Sequence, residues 1–261
     1  MSEHHELLED EGAGYLISVS DMMSGLLLVF IITLVAFIIN FQDAIQKQNE
    51  VTETRKEVVR KLTNTEQIRN ELLQDLKDRL KKEKIDVEID TRHGVLRLTE
   101  KAVLFKTAAD TLSERYRNNL RTIGIVLNEV IPCYAENPPS NIACSNLDQT
   151  KGKIDAVFIE GHTDNVPMKS SRIKDNWELS ANRAIAAYRL VVPNSVLDNL
   201  RNISGQPIFS VSGYGEGRPV DGHNHSVPTP DGVNRRIDLR FIMTPPALTE
   251  PQRALIAWGA K

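Results

Sequence analysis

Basic residues are missing where an exported leader would need them. Residues 1–14 hold no Lys or Arg, and the first one beyond the apolar stretch that follows is Lys47. That stretch has no A-x-A-like site after it, and its apolar core outruns the roughly 7–15 residues of a leader's central region. These absences argue against a cleaved secretory signal and for a retained single span. Cysteine is scarce as well: Cys133 and Cys144 are the two present, and no CxxC pattern occurs. A thiolate metal site is therefore not expected. Both lie in PCYAENPPSNIAC, a loop-like stretch rich in Pro, Asn and Ser. Two readings stay open: a local bridge in an oxidising compartment, or two free thiols. Bridging would contribute about 3 kcal/mol at most through loop entropy. Charge of one sign is lacking too. Lys+Arg total 32 against Asp+Glu 35, a net charge of −3, so no polyanion-binding surface and no nucleic-acid partner is implied. The 261 residues suffice for one or two compact domains.

What is present begins with an apolar run over 15–40, expected to be a transmembrane helix. A bilayer core about 30 Å thick needs about 20 apolar residues as a helix. The run holds one carboxylate, Asp21. A charge there costs roughly 2.5–3.5 kcal/mol even on lenient insertion scales, so a pure anchor would do better with Leu. Positions three and four apart share a helix face. Ser18, Asp21, Ser24, Gly25 and Leu28 thus form one stripe, read as the pore or partner face, since small residues permit close helix approach. The other reading places Asp21 near the headgroups, about 9 Å beyond Tyr15, and merely hydrated. Lys47, Arg55 and Lys56 follow the span, and the positive-inside rule would put that side in the cytoplasm.

Residues 1–14 read as an acidic, peripheral tail in which His4 and His5 are solvated. Residues 41–84 are charged, contain no Pro or Gly, and predict a long helical linker. Val51, Val58, Thr65 and Leu72 recur every seven residues, with Leu62, Ile68, Leu76 and Leu80 beside them. That pattern fits a loose coiled coil between two copies or a single solvated stalk. Residues 85–244 alternate strands and helices. IDVEID and VLRLTE flank His93-Gly94 as a hairpin. Ser113 starts a helix that ends before Pro132. KIDAVFIEG is a buried strand, NWELSANRAIAAYRLVV an amphipathic helix, PIFSVSG a strand, and RRIDLRFIM the last strand. The expectation is one α/β domain with helices on a mixed sheet. Residues 245–261 are a short C-terminal tail or helix.

Four motifs occur in order within that domain: Gly161-His162-Thr163-Asp164, Asn176-Trp177-Glu178-Leu179-Ser180 with Arg183, Gly213-Tyr214-Gly215-Glu216, and Asn234-Arg235-Arg236-Ile237. Together they resemble the OmpA-like peptidoglycan-binding domain, in wording similar to its MotB branch, over roughly residues 95–243. The resemblance implies that Asp164 and Arg183 bind a peptidoglycan stem peptide. A carboxylate suits the ammonium of the diaminopimelate end, and an arginine fork suits its carboxylate. Asn176 and Leu179 would shape the pocket, with Arg235 or Arg236 assisting. Asn176 could equally cap its helix, and Arg236 could simply bracket the sheet. His162 reads as structural. The His223-x-His225 pair lacks a third ligand and is not expected to bind metal.

An amino-terminal span with one acid, a helical stalk and this domain is also the plan of the MotB family. The resemblance then implies a proton-carrying Asp21, two copies inside a ring of a MotA-type or ZorA-type membrane protein, and an inner-membrane protein with its C-terminal domain in the periplasm. The context SVSDMMSGLLLVFIITLVAF and the acidic tail depart from flagellar members and look more like ZorB, the MotB-like subunit of Zorya anti-phage defence systems. A flagellar-type stator and a passive wall anchor are the rival readings. No nucleophile–base pair, phosphate loop or cofactor motif is present, which points to recognition rather than catalysis. The residues do not distinguish H⁺ from Na⁺ as the transported ion.

Overall fold

The computed structural model describes residues 3–168 and 170–259, with the backbone alone for 3–18, 255 and 257–259. His4, His5 and Ser18 thus lie outside the described side chains. The elements are α1 (Glu3–Lys82), β1 (Val87–Asp90), β2 (Val95–Leu98), α2 (Glu114–Val130), a 3-10 turn at Ile131–Tyr134, α3 (Leu147–Thr150), β3 (Ile154–Gly161), α4 (Asn176–Val191), a 3-10 turn at Val196–Asn199, β4 (Phe209–Gly213), β5 (Ile237–Met243) and α5 (Glu250–Gly259). The chain divides into two compact units, Met1–Val59 with Leu248–Lys261, and Arg60–Ala247.

In the first unit, α1 starts at Glu3, where the composition alone predicts a peripheral tail. Gly12 and Gly14 each weaken a helix by about 1 kcal/mol without breaking it. Among the described residues, one helix is long and apolar enough to cross a membrane, and it lies within Val19–Lys82. Its large apolar side chains from Met22 to Phe41 are 44–70% exposed on every side. A helix apolar all round needs a covering medium, either a protein core or lipid. The hydroxyls within it bond back to their own helix: Ser24 to the Ser20 carbonyl at 2.8 Å, and Thr33 to Phe30 at 2.9 Å. Such back-bonding satisfies polar groups where water is absent. Asp21 and Ser24 are exposed on this helix, and nothing lies within 4 Å of a Cβ placed on Gly25.

The second unit begins earlier than the strand pattern suggests, because the last turns of α1 join its core. Ile68 is buried, and Leu72, Leu73, Leu76 and Leu80 have no exposed surface. Those last four join the strands, α2 and α4 in one hydrophobic cluster. The heptad-like leucines from position 72 onward are thus occupied within the chain, whereas Val51 and Leu62 stay exposed. The helix stops in a Schellman arrangement: the Ile85 N–H donates to Leu80 O at 2.9 Å and the Lys84 N–H to Lys81 O at 3.0 Å. Lys84 takes the left-handed conformation, with φ 60°, and Ile85 and Leu80 make the apolar contact typical of this stop.

The five strands are ordered β1-β2-β5-β3-β4, with β3 and β4 parallel and the other neighbours antiparallel. The hairpin β1–β2 turns at Gly94, φ +67°. Asp90 fixes the turn by accepting from the His93 N–H at 3.1 Å and from its ring at 2.7 Å. The Cys loop is closed by a Cys133–Cys144 disulfide with Cα atoms 5.5 Å apart. Register then does the positioning. Gly161 at the end of β3 pairs with Gly213 at the end of β4 and with Ile237 at the start of β5. Three of the four motifs therefore meet at one end of the sheet.

The fourth motif arrives on α4, which packs against β3 and β4. A Cβ on Gly161 would overlap the Ser180 carbonyl, and one on Gly213 would lie 2.7 Å from the Ala181 nitrogen. Only hydrogen fits there, so the two glycines set how closely the helix approaches. Gly161→Ala is expected to destabilise the domain by about 3 kcal/mol through overpacking. An unchanged denaturant midpoint would show that the helix is not seated on the sheet in this way.

Candidate functional site

The site is built on α4. Asp175, not Asn176, caps this helix, accepting from the Glu178 N–H at 2.9 Å, and Glu178 accepts in return from the Lys174 N–H at 2.8 Å. This reciprocal pairing is a capping box shifted by one residue. Asn176 is thereby freed for the site: its amide donates to Val166 O at 3.0 Å and Asp164 O at 3.4 Å. Asn176, Leu179, Ser180 and Arg183 fall on one buried face of the helix, as spacings of three and four require. Ser180 accepts the Gly215 N–H at 2.9 Å and so holds the turn after β4.

Arg183 has no exposed surface. Its Nε donates to Ala109 O at 2.9 Å, Nη1 to His162 O at 3.2 Å and Nη2 to Lys106 O at 3.1 Å. Its guanidinium lies 5.1 Å from the Phe105 ring centroid. Burial pushes its pKa down to about 10, against the pull of the nearby Asp164 carboxylate. It remains charged at neutral pH. The fork expected to meet a ligand is thus engaged by the segment 105–110, which Arg172 also tethers through Asp110 at 2.8 Å.

Asp164 is buried in the turn after β3. Its Oδ2 accepts from Arg235 Nη1 at 2.7 Å and from the Asp231 N–H at 3.2 Å. Among the described residues both bonds fall on that one oxygen. Arg235 also donates to Phe105 O at 3.4 Å, so Asp164, Arg183 and Arg235 enclose one polar corner beneath the 105–110 segment. Asn176 adjoins it through Asp164 O, and Leu179 is buried on the same face of the helix as Asn176 and Arg183.

Arg236 is not brought into this corner. It donates to Asp238 Oδ2 at 3.0 Å and to Arg218 O at 3.1 Å. Adjacent side chains leading into a strand diverge, so Arg235 and Arg236 serve different clusters. Arg236 lines a cavity of about 500 Å³ with Arg97, His162, Arg218, Asp238 and Arg240. Burial and then the cations Arg236, Arg97, Arg218 and Arg240 lower the His162 pKa to about 2. That ring is therefore neutral, and it stacks on Tyr214 with centroids 5.5 Å apart, in keeping with a structural role.

Sequence reading missed the carbonyl acceptors of Lys106 and Ala109, since backbone atoms leave no side-chain signature. It also missed Asp231, whose Pro-Asp-Gly setting reads as ordinary turn chemistry.

Arg183→Met is expected to strip three carbonyls of a charged donor and to destabilise the domain by about 3–5 kcal/mol. Limited proteolysis should then cut within 105–110. A variant as stable and as resistant as wild type would contradict this role.

The model of the OmpA family matches residues 143–229, which include Asp164 and Arg183. Over 179 residues the chain is 27% identical to Motility protein B of Bacillus subtilis (strain 168), covering 68% of this chain and 56% of that one. The chain thus spans little more than half the length of this curated relative. Among solved structures, the cell wall anchor of the T6SS from Pseudomonas aeruginosa is similar at 19% identity and a TM-score of 0.40, over 66% of this chain and 97% of that one. The periplasmic domain of Helicobacter pylori MotB is similar at 18% and 0.41, over 60% and 88%. A putative MotB like protein from Desulfovibrio vulgaris is similar at 20% and 0.39, over 70% and 98%. Over its matched residues the chain is similar to Motility protein B, and the OmpA family model matches residues 143–229.

Proposed function

We propose that this chain is the wall-anchored subunit of an ion-driven membrane motor of the MotB type. The observation that carries the reading is one carboxylate, Asp21, on an apolar helix left uncovered by its own chain, joined to an OmpA-family segment. A passive anchor has no use for that acid. In the proposal the helix crosses the inner membrane once, and two copies stand within a ring of a MotA-type or ZorA-type partner. Asp21 takes up and releases a proton as its surroundings alternate between apolar and wet. A proton falling through 100 mV supplies about 2.3 kcal/mol, enough to bias such a cycle.

The domain lies in the periplasm in this reading. The Cys133–Cys144 bridge supports that side, because cytosolic thiols are kept reduced. It outweighs the contrary vote of Lys47, a single cation near the span. The domain holds peptidoglycan through Asp164, facing an ammonium, and through Arg183, facing a carboxylate. Arg183 becomes reachable when the 105–110 segment shifts. Tethered to the wall, the subunit does not turn with its partner. The acidic residues 1–14 and the SVSD context favour a Zorya-type defence assembly over a flagellar one. Protection against phage, rather than restored swimming, would separate the two.

Asp21→Asn is expected to abolish that output while the variant still co-purifies with its ring partner. Full activity would overturn ion coupling. Asp164→Asn, which keeps shape and removes charge, should lose co-sedimentation with purified sacculi while the variant stays folded at the assay temperature, its melting temperature lowered by loss of the buried Arg235 pair. Undiminished retention would refute the wall site.

A further inference from the structure

The sequence offers His223 and His225 without a third ligand, and the fold supplies one. Asp231 comes back across the 220–231 loop, and its Oδ2 lies 2.8 Å from His223 Nδ1 and 2.7 Å from His225 Nε2. The three ligand atoms are all within 4.8 Å of one another. We propose that His223, His225 and Asp231 form a binding site for a late first-row divalent cation, with Zn²⁺ as the reference ion. This inference stands independently of the motor reading.

The site is held from behind. Asn165 donates to His225 O and Val227 O, each at 2.8 Å, and accepts the Thr229 N–H at 2.8 Å. Asn234 donates to His223 O at 2.8 Å and accepts the Val220 N–H at 2.9 Å. Asp231 is fixed through its own N–H to Asp164 and by accepting the Val233 N–H at 2.9 Å. Backbone positions of all three ligands are therefore set before any ion arrives, which reduces the ordering cost of binding. The His223 and His225 side chains are 40% and 33% exposed and that of Asp231 9%. Solvent reaches the site, so water can fill a fourth position.

Ligand chemistry selects the ion. Two imidazoles and one carboxylate form a borderline nitrogen–oxygen set, suited to zinc and its neighbours. Calcium and magnesium prefer all-oxygen shells. Each ring now directs a nitrogen at the shared carboxylate oxygen. A ligand nitrogen needs a free lone pair, so metal binding displaces any proton that these nitrogens share with Asp231.

The test uses the full chain in detergent, without a polyhistidine tag, stripped with EDTA and titrated with ZnCl₂ or MgCl₂. The expected result is one Zn²⁺ bound per chain at this site, none competed off by Mg²⁺, and visible ligand-field absorption on Co²⁺ substitution. His225→Gln and His223→Gln should each weaken zinc binding at least about tenfold, with melting temperatures in EDTA equal to wild type. The comparison also separates this site from His4 and His5, which both variants retain. No zinc retained by wild type, or equal zinc affinity in wild type and either folded variant, would overturn the proposal and leave the triad as loop-bracing hydrogen bonds.

Discussion

A cation with no exposed surface organises this domain. Burying an arginine costs several kcal/mol unless its donors are met, and Arg183 meets the cost with three backbone carbonyls. Those carbonyls belong to two separate stretches, 105–110 and the turn after β3. One side chain on α4 therefore fixes the position of both. The segment 105–110 has no strand or helix of its own, and Ala108 within it adopts φ 57°. A left-handed alanine costs about 1–2 kcal/mol, and the bonds to Lys106 and Ala109 on either side sustain it. The same side chain the sequence nominates for ligand binding is thus also the clamp that keeps the site covered.

The glycines Gly161 and Gly213 make this geometry attainable. They let α4 approach β3 and β4 closely enough for Arg183 to reach past the sheet end. Register then sorts the charged residues into two sets. Asp164 and Arg235 stay beneath the 105–110 segment. Arg236, Asp238, Arg97, Glu160 and Arg240 form a second network, with Arg240 and Glu160 paired at 2.7 and 2.9 Å. Burial raises the Asp238 carboxyl pKa in spite of Arg236 and Arg97, and His162 is kept neutral. The second network fits a brace between strands better than a recognition surface.

The two units obey different physics. In the Arg60–Ala247 unit, apolar side chains find partners within the chain, including the last turns of α1. In α1 between Met22 and Phe41 they find none. That segment calls for another medium, and the acid at its start, Asp21, calls for a reason. The proposed motor gives both, with the wall contact supplying the fixed point against which an ion-driven partner can move.

Much was legible without coordinates. The long apolar helix, the hairpin at His93-Gly94, the helix stopping before Pro132, the strand into Gly161-His162-Thr163-Asp164 and the helix carrying Arg183 all follow from local periodicity and turn chemistry. The pairing of Asp164 with Arg183 as a candidate site comes instead from the resemblance of the motifs to the OmpA-like family. Other features depend on contacts between residues far apart in sequence, which no local pattern encodes. Among them is the burial of Leu72 to Leu80 in the domain rather than in a coiled coil; the cap on Asp175 rather than Asn176 is instead a local choice, set by Glu178 and Lys174. The separation of Arg235 from Arg236 and the carbonyls that engage Arg183 also depend on distant contacts, while the disulfide follows from the conformation of the 133–144 loop, which brings the two Cα atoms to 5.5 Å. Asp231 is the clearest case. In sequence it is a turn residue; in the fold its carboxylate completes a pair of histidines six and eight residues away, because Asn165 and Asn234 bend the loop back onto itself.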